Sequence, residues 1–282
     1  MSKAQGMGLG NMGFAMLFLP VGLSLFASCS WFHLLPVKSR RAEEWSLYAC
    51  RVLLRFLIRA TLWLRIEDAP TAEDWDALIP AGGGACVVMI NHTSQWDGFF
   101  FAAMASPSII RRCKSLMIGK AFKMPIAGAI FRKLGHQPVH FLKDDDGKFS
   151  VDKKLQAPVN AIIRSHLEGG GLLTFCPEGA INKKDPYVVQ PHRRGSFQQA
   201  IDLRLKIYGF TSFGNHDFWP NTRPFAGNRA KITCGLYAMD KWNARISAGE
   251  DVSSTTVADL ALECQEAMQA SVTAVAAKHD AK

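Results

Sequence analysis

Features that the sequence lacks narrow the range of functions it can have. The 282 residues contain no internal repeat and no long low-complexity segment, so repeat architectures are excluded. The seven cysteines include no Cys-x-x-Cys pair, the spacing typical of zinc sites and of redox motifs. Because the cysteines are odd in number and widely spaced, we expect a reducing environment for the main domain.

The chain also has fewer acidic than basic residues. The 33 Lys and Arg against 24 Asp and Glu give a formal net charge of +9, which favours an anionic partner such as a lipid surface, a phosphorylated substrate or a nucleic acid. No basic run alternates with aromatic residues as a base-stacking platform requires, so we expect no nucleic-acid partner. With 48% apolar residues, the length suits one α/β domain plus a membrane-associated segment.

Charge is absent from a long stretch near the N-terminus. Residues 13–36 are long enough to cross a bilayer, which takes about 20 apolar residues. Lys38, Arg40 and Arg41 follow, and such a basic flank predicts that the catalytic part lies on the cytoplasmic side of the membrane. An internal proline leaves a re-entrant helix open as an alternative, and a cleaved signal peptide is a third interpretation.

Residues 45–66 have the pattern of an amphipathic helix. Arg51, Arg55 and Arg59 share one face, and apolar residues cover much of the rest. The pattern fits a helix at a membrane surface, and it also fits a helix that packs on the core with its arginines in solvent. Together the two segments predict membrane-anchoring helices over residues 1–66 and an α/β domain over residues 67–282.

A candidate catalytic pair follows an apolar run at residues 85–90, which predicts a buried strand. His92 and Asp97 come directly after it. On one continuous helix they would lie roughly 140° apart, so a turn must separate them. Ser94 and Asp97 have the spacing of a capping box, which predicts Ser94 as the N-cap of a helix and leaves His92 on the loop before it. Asp97 can then orient the imidazole while His92 acts as a general base; a plain helix cap beside a solvated histidine is the alternative.

A second motif lies about eighty residues further along the chain. A Gly-rich turn leads into the apolar run Leu172-Leu173-Thr174-Phe175, which ends in Cys176-Pro177-Glu178-Gly179. A His-x4-Asp motif followed at this distance by a strand that ends in Pro-Glu-Gly resembles the glycerolipid acyltransferase family. That family includes 1-acylglycerol-3-phosphate acyltransferases.

The resemblance implies both a fold and a reaction. It implies an α/β fold with a mixed β-sheet flanked by helices, here with an N-terminal membrane-associated helical segment. It implies transfer of a fatty acyl group from acyl-CoA or acyl carrier protein to a hydroxyl of a lysophospholipid or related lipid, with no cofactor. In this sequence the family motifs correspond to His92 and Asp97 as catalytic residues, and to Glu178 and Gly179 as acceptor-binding positions.

The sequence departs from the family at the positions that usually bind the acceptor phosphate. His140 and Phe141 stand where Asp and Arg are usual, and Ile181 replaces the arginine of Thr-Arg-Ser. Cys176 replaces a phenylalanine. These departures make lysophosphatidate a doubtful acceptor, and they motivate an alternative function, a catalytically degenerate lipid-binding protein of the same fold.

Three basic residues are candidates to replace the missing arginines. Lys143 lies two residues beyond Phe141, although its ammonium is a point charge without the bidentate geometry of a guanidinium. Arg193 and Arg194 precede a predicted helix and could hold a phosphate together with backbone amides.

Two further patterns suggest metal sites only weakly. Asn215-His216-Asp217 matches a fragment of the metallophosphoesterase signature, but no histidine in the chain has the required Asp two positions before it. His136 and His140 are four residues apart, but Pro138 between them argues against a helix that would pair them. We therefore predict no metal site, and we interpret residues 144–147 as a solvent loop.

Overall fold

The structure is a computed structural model that describes residues 8–143, 149–223 and 225–281. The helices run in the order α1 (Leu9–Leu34), α2 (Ser39–Ala60), α3 (Ala72–Leu78), α4 (Asp97–Met104), α5 (Pro107–Ile110), α6 (Pro125–Lys133), α7 (Lys153–Glu168), α8 (Phe197–Asp202), α9 (Asn215–Phe218), α10 (Asp240–Ala248) and α11 (Val257–Asp280). The strands are β1 (Leu64–Glu67), β2 (Cys86–Ile90), β3 (Cys113–Ile118), β4 (Gln137–Val139), β5 (Phe141–Lys143), β6 (Phe149–Val151), β7 (Leu172–Phe175), β8 (Lys206–Phe213) and β9 (Ala230–Ala238).

Seven of these strands form one mixed sheet in the order β1-β9-β8-β2-β7-β3-β4. Neighbours are parallel except β8 and β9, which pair antiparallel, so β9 and β1 run against the other five. Strands β5 and β6 form a separate antiparallel pair. The predicted mixed α/β sheet is confirmed.

The central strand β2 separates two core layers, because successive side chains of a strand point to opposite faces. Its even-numbered residues Cys86, Val88 and Ile90 pack among side chains from α1 to α6. Val87 and Met89 pack on the other face, against α7, α8, α10 and α11. Such continuous burial on both faces is typical of a parallel strand covered by helices on each side, and it explains the unbroken apolar run in the sequence.

The helix predicted over residues 45–66 ends earlier than expected. Helix α2 stops at Ala60, and the prediction is wrong for the last residues because Leu64–Glu67 form β1 and pair with β9. The predicted boundary at residue 66 therefore falls inside a strand of the sheet. Arg51, one of the three arginines expected to face head groups, instead donates a hydrogen bond of 2.6 Å to the backbone oxygen of Ala105. The division into an anchoring unit and a catalytic unit stays a prediction.

Helix α1 is the one helix in the described part of the chain that is long and apolar enough to cross a membrane. One side of α1 lies against the core: Phe14, Val21, Leu25 and Cys29 are buried. Its other side exposes a row of apolar residues at helical spacing, namely Leu9, Met12, Met16, Leu19 and Leu23. The helix therefore joins the domain through one stripe and presents an apolar stripe outward, which weakly suggests association with a membrane.

Candidate active site

The candidate site forms where three neighbouring strands end. Strands β8, β2 and β7 are adjacent and parallel, so their carboxyl ends lie together at one edge of the sheet. His92 follows β2, Glu178 follows β7, and Asn215 follows β8. Ligands of open α/β sheets bind outside the carboxyl ends of the strands, so this edge is where the fold favours a site.

The structure brings His92 and Asp97 together as predicted. The imidazole Nδ1 lies 3.1 Å from Asp97 Oδ2. The Asp97 side chain has no solvent exposure, whereas that of His92 is 23% exposed. With Nδ1 held by the carboxylate, Nε2 is the nitrogen left to exchange a proton with a substrate hydroxyl.

The turn that positions this pair differs from the predicted capping box. Helix α4 begins at Asp97, so Asp97 is in the first helical turn as expected, but the residue before the helix is Trp96. Half of the box forms, because Asp97 Oδ2 accepts from the Ser94 amide at 2.8 Å. The Ser94 hydroxyl instead accepts from the Trp96 amide and donates to the backbone oxygen of Trp219, so the prediction of Ser94 as N-cap is wrong.

Asp97 accepts hydrogen bonds from three further groups. The Thr93 and Ser94 amides both donate to Oδ2 at 2.8 Å, and the side chain of Asn215 donates to Oδ1 at the same distance. A buried carboxylate needs such donors, because an unpaired charge in the interior is costly. Asn215 was not predicted as a site residue. Its neighbour His216 has Nε2 at 3.7 Å from Asp217 Oδ2, and the described residues contain no group of three potential metal ligands.

The surroundings of His92 favour its protonated form. Burial opposes the charge, but the Cys176 thiol and the Asp97 carboxylate outweigh it, and together they hold the pKa of His92 well above its ordinary value of about 6.5. The imidazolium is therefore the form that the folded site favours. Only the neutral form of the ring can accept a proton from a substrate.

Glu178 ties the second motif to the first through backbone contacts. One carboxylate oxygen accepts from the His92 amide at 2.7 Å, and the other accepts from the Gln190 amide at 3.0 Å. The residue is 3% exposed, and burial raises the pKa of its carboxyl although both amides oppose the shift. The contacts found here position the loop, and the predicted contact with the acceptor stays a prediction.

Gly179 allows an arginine to lie against the Pro-Glu-Gly turn. Its φ of +71° favours glycine, and a Cβ there would come within 2.7 Å of Arg193 Cγ. The Arg193 amide also donates to the backbone oxygen of Pro177 at 2.7 Å. Arg193 and Arg194 are both exposed, as a phosphate ligand must be, and they stay predicted ligands.

Two predictions, Lys143 and the loop at residues 144–147, fall largely outside the described residues, and a third is decided by β4. Lys143 ends β5, but its side chain lies outside the described residues, as do the loop residues 144–147. Pro138 lies in β4, so His136 and His140 do not share a helix, as predicted.

Two asparagines that the sequence analysis did not single out also hold the site. Asn91 exchanges hydrogen bonds with both backbone groups of Ser212, each at 3.0 Å, and so fixes the end of β2 to β8. The backbone N–H of Asn182 donates to the backbone oxygen of His92 at 2.7 Å. A polar residue directly after a buried strand was the only local signal for Asn91, and none marked Asn182.

Comparison with known proteins identifies the family. A family model described as Acyltransferase matches residues 66–212, which include both motifs and more than half of the chain. The chain belongs to this acyltransferase family. None of the curated proteins compared with the chain matches it.

A solved structure supports the same assignment at the level of the fold. The chain is similar to the crystal structure of the 1-acyl-sn-glycerophosphate (LPA) acyltransferase PlsC from Thermotoga maritima, with a TM-score of 0.63 and 12% sequence identity. The match covers 95% of this chain and 96% of that one. Family and fold together support an O-acyltransferase of lipid metabolism.

Proposed function

We propose that the protein transfers a fatty acyl group from a thioester, either acyl-CoA or acyl carrier protein, to a hydroxyl of a lysophospholipid or related lipid. The observation that supports this most directly is the His92–Asp97 pair, with Nδ1 on a buried carboxylate and Nε2 left for a substrate. This arrangement supplies a general base and its orienting group without a protein nucleophile in the reaction.

The proposed reaction is a direct attack within a ternary complex. His92 Nε2 removes the proton of the acceptor hydroxyl, and the oxygen attacks the thioester carbonyl carbon. When the tetrahedral intermediate collapses, the carbon–sulfur bond breaks and the thiolate leaves with the proton from His92. Asp97 keeps the imidazole in one tautomer and stabilises its positive charge, and no acyl-enzyme is needed.

The acceptor is proposed from the charges near the Pro-Glu-Gly turn. Arg193 lies against Gly179, and Arg194 is exposed beside it, so two guanidinium groups are available for a phosphate head group. Lys143, Glu178 and Gly179 complete the proposed acceptor site. We further propose that α1 and α2 hold the domain at the cytoplasmic face of a membrane, where the lipid substrates reside.

The function is tested with detergent-purified protein and a long-chain acyl-CoA. Samples are quenched at intervals, and free CoA thiol is measured against a panel of lysolipids, with His92→Ala in parallel. We expect acceptor-dependent thiol release by the wild type alone, and the best acceptor identifies the substrate class. Release that ignores both the acceptor and His92 would contradict the mechanism and indicate a thioesterase or a contaminant.

The second candidate function is a lipid-binding protein that has lost activity. His140, Phe141 and Ile181 favour it, because they replace residues with which the family usually meets the acceptor. Binding of a lysolipid with no His92-dependent turnover, from either acyl-CoA or acyl carrier protein, is the result that would support this function over acyl transfer.

A further inference from the structure

One nucleophilic side chain at the site has no role in the proposed reaction. Cys176 directly follows β7, and its side chain is near enough to the His92 imidazole to help raise the pKa of that ring. The pairing of strands β2 and β7 explains why the two side chains are close. Strands β2 and β7 pair in register, with Val88 opposite Thr174, so the even-numbered positions of both strands lie on the same face of the sheet. Cys176 packs against the core layer on this face, which also contains Ile90, the last residue of β2.

Cys176 also differs from every other cysteine of the chain. It is half-buried, whereas the remaining six cysteines are buried. Burial also makes the others unreactive: it raises the pKa of Cys50 and of Cys86 to about 12, so neither forms thiolate at neutral pH. A reagent in solution therefore meets one thiol in the folded protein, and that thiol lies beside the catalytic histidine.

We propose that Cys176 is a reversible modification site at which small disulfides block acyl transfer. The Cys176 thiolate attacks one sulfur of the disulfide while its proton stays on the His92 imidazole. A new sulfur–sulfur bond forms, the original one breaks, and the leaving thiolate takes the proton from His92. The added group then lies against His92 and denies the acceptor hydroxyl access to Nε2. A thiol reductant reverses the exchange.

The neighbouring histidine also gives the exchange a proton acceptor. The attacking form of cysteine is the thiolate, and His92 can take the thiol proton and carry the resulting positive charge. The buried Asp97 carboxylate supports that cation from the other ring nitrogen, at 3.1 Å. A Cys–His–Asp arrangement thus exists within an active site whose reaction needs only His and Asp. The inference that modification stops turnover rests on the proposed function, whereas the reactivity of the thiol does not.

The first test measures modification without any acyl substrate. The purified full chain is treated with dithiodipyridine, and the released thione and the intact mass are followed over time. We expect one adduct per chain, mapped to Cys176 by peptide mass spectrometry, and none in Cys176→Ser. In His92→Ala the reaction should slow by roughly tenfold, because the supporting cation is lost. No adduct in folded wild type, with all seven thiols reacting after denaturation, would overturn the proposal, as would an adduct on another cysteine.

The second test links modification to activity. After removal of excess reagent, formation of acylated lipid is compared for treated and untreated protein, each variant against its own untreated rate. The wild type should lose activity in proportion to the adduct and regain it with dithiothreitol, while Cys176→Ser should be unaffected. Fully modified wild type that keeps its activity would contradict the block. If untreated protein shows no acyl transfer, the proposed function fails while the labelling result still decides the reactivity of Cys176.

Discussion

The carboxylate of Asp97 has no solvent contact and accepts hydrogen bonds from four groups, namely two backbone amides, the His92 ring and the Asn215 side chain. Hydrogen bonds to an ionised acceptor are stronger than those between neutral groups, so the four donors hold the carboxylate in one orientation. That orientation in turn holds Nδ1 of His92 and leaves Nε2 as the nitrogen proposed to meet the substrate. Asp97 therefore sets the orientation of the imidazole and also the shape of the turn that carries it.

Asp97→Asn should impair catalysis more than folding. The amide has one oxygen in place of two and no charge, so it can neither satisfy all four donors nor stabilise the imidazolium. We expect kcat to fall by about 10²-fold or more and the free energy of unfolding to fall by about 1–3 kcal/mol. The matched control is Asp76→Asn. Asp76 accepts hydrogen bonds from the Ser106 and Ser108 hydroxyls, beyond the far end of α4, so the kcat of this variant should equal that of the wild type. A kcat for Asp97→Asn close to that of the wild type would refute the assigned role.

The pH dependence should report the environment of His92. Only the neutral imidazole accepts a proton, and the pKa of His92 is raised, so kcat/KM should increase with pH through a value above about 6.5. In Cys176→Ala one of the two groups that favour the imidazolium is removed. The acidic limb of the profile should then shift to lower pH, with Asp97 still holding Nδ1. The measurement is the pH profile of kcat/KM for both proteins, and identical acidic limbs would show that Cys176 does not act on His92.

At the scale of elements, the Glu178 carboxylate joins the loops after β2 and β7, together with the backbone bond from Asn182 to His92. It reaches the His92 amide on one side and the Gln190 amide on the other, 86 and 12 residues away in sequence. Both donors are backbone N–H groups, so a side-chain substitution at His92 leaves the two hydrogen bonds in place. The tether therefore sets where the base lies relative to the Pro-Glu-Gly turn and the neighbouring Arg193.

Glu178→Gln should loosen this tether. One oxygen becomes an NH₂ group that faces a backbone amide, so a buried donor loses its partner at a cost of about 1–3 kcal/mol. Thermal unfolding should show a lower Tm, and the rate of acyl transfer should fall with it. Glu168→Gln is the control, since Glu168 is exposed and pairs with Arg164 on the same helix, a contact that contributes at most about 1 kcal/mol. Equal Tm values for the two variants would argue against the tether.

The sequence predicts those elements whose signal is local. The apolar runs behind β2 and β7 reveal buried strands, and the spacing of His92 and Asp97 correctly requires a turn between them. The end of α2 has no glycine or proline to mark it, so the pattern hides the short strand Leu64–Glu67. Contacts between distant residues leave no local signal either. Asn215 lies 118 residues from Asp97, and only the folded sheet brings them together.

On the scale of the whole molecule, the core face of α1 and its outward face have different environments. Phe14 packs edge-on against Trp96 and Phe218, close to the turn that carries His92, so α1 contributes to the core beside that turn. The exposed stripe of α1 has no partner within the described residues of the chain. The net charge of +9 would strengthen contact with an anionic lipid surface.

The exposed stripe of α1 should be needed for membrane binding and not for folding. Met16→Ser combined with Leu19→Ser removes apolar surface that is already exposed, by 71% and 62%, so the free energy of unfolding should change by less than about 1 kcal/mol. Co-sedimentation with anionic vesicles should weaken clearly. Leu262→Ser on α11 is the control, because this residue is exposed to a similar extent but lies on the opposite face of the sheet. Unchanged binding of the double variant would exclude the stripe as the membrane contact.

The proposed role of His92 as the base of an acyl transfer to lipid underlies the proposed function. It is tested most directly by quantifying the acylated lipid formed from a long-chain acyl-CoA and the best lysolipid acceptor, by wild type and His92→Ala of equal Tm. This role predicts product with the wild type and a loss of about 10²–10⁴-fold in rate with the variant. Product formed at the same rate by both proteins would contradict it.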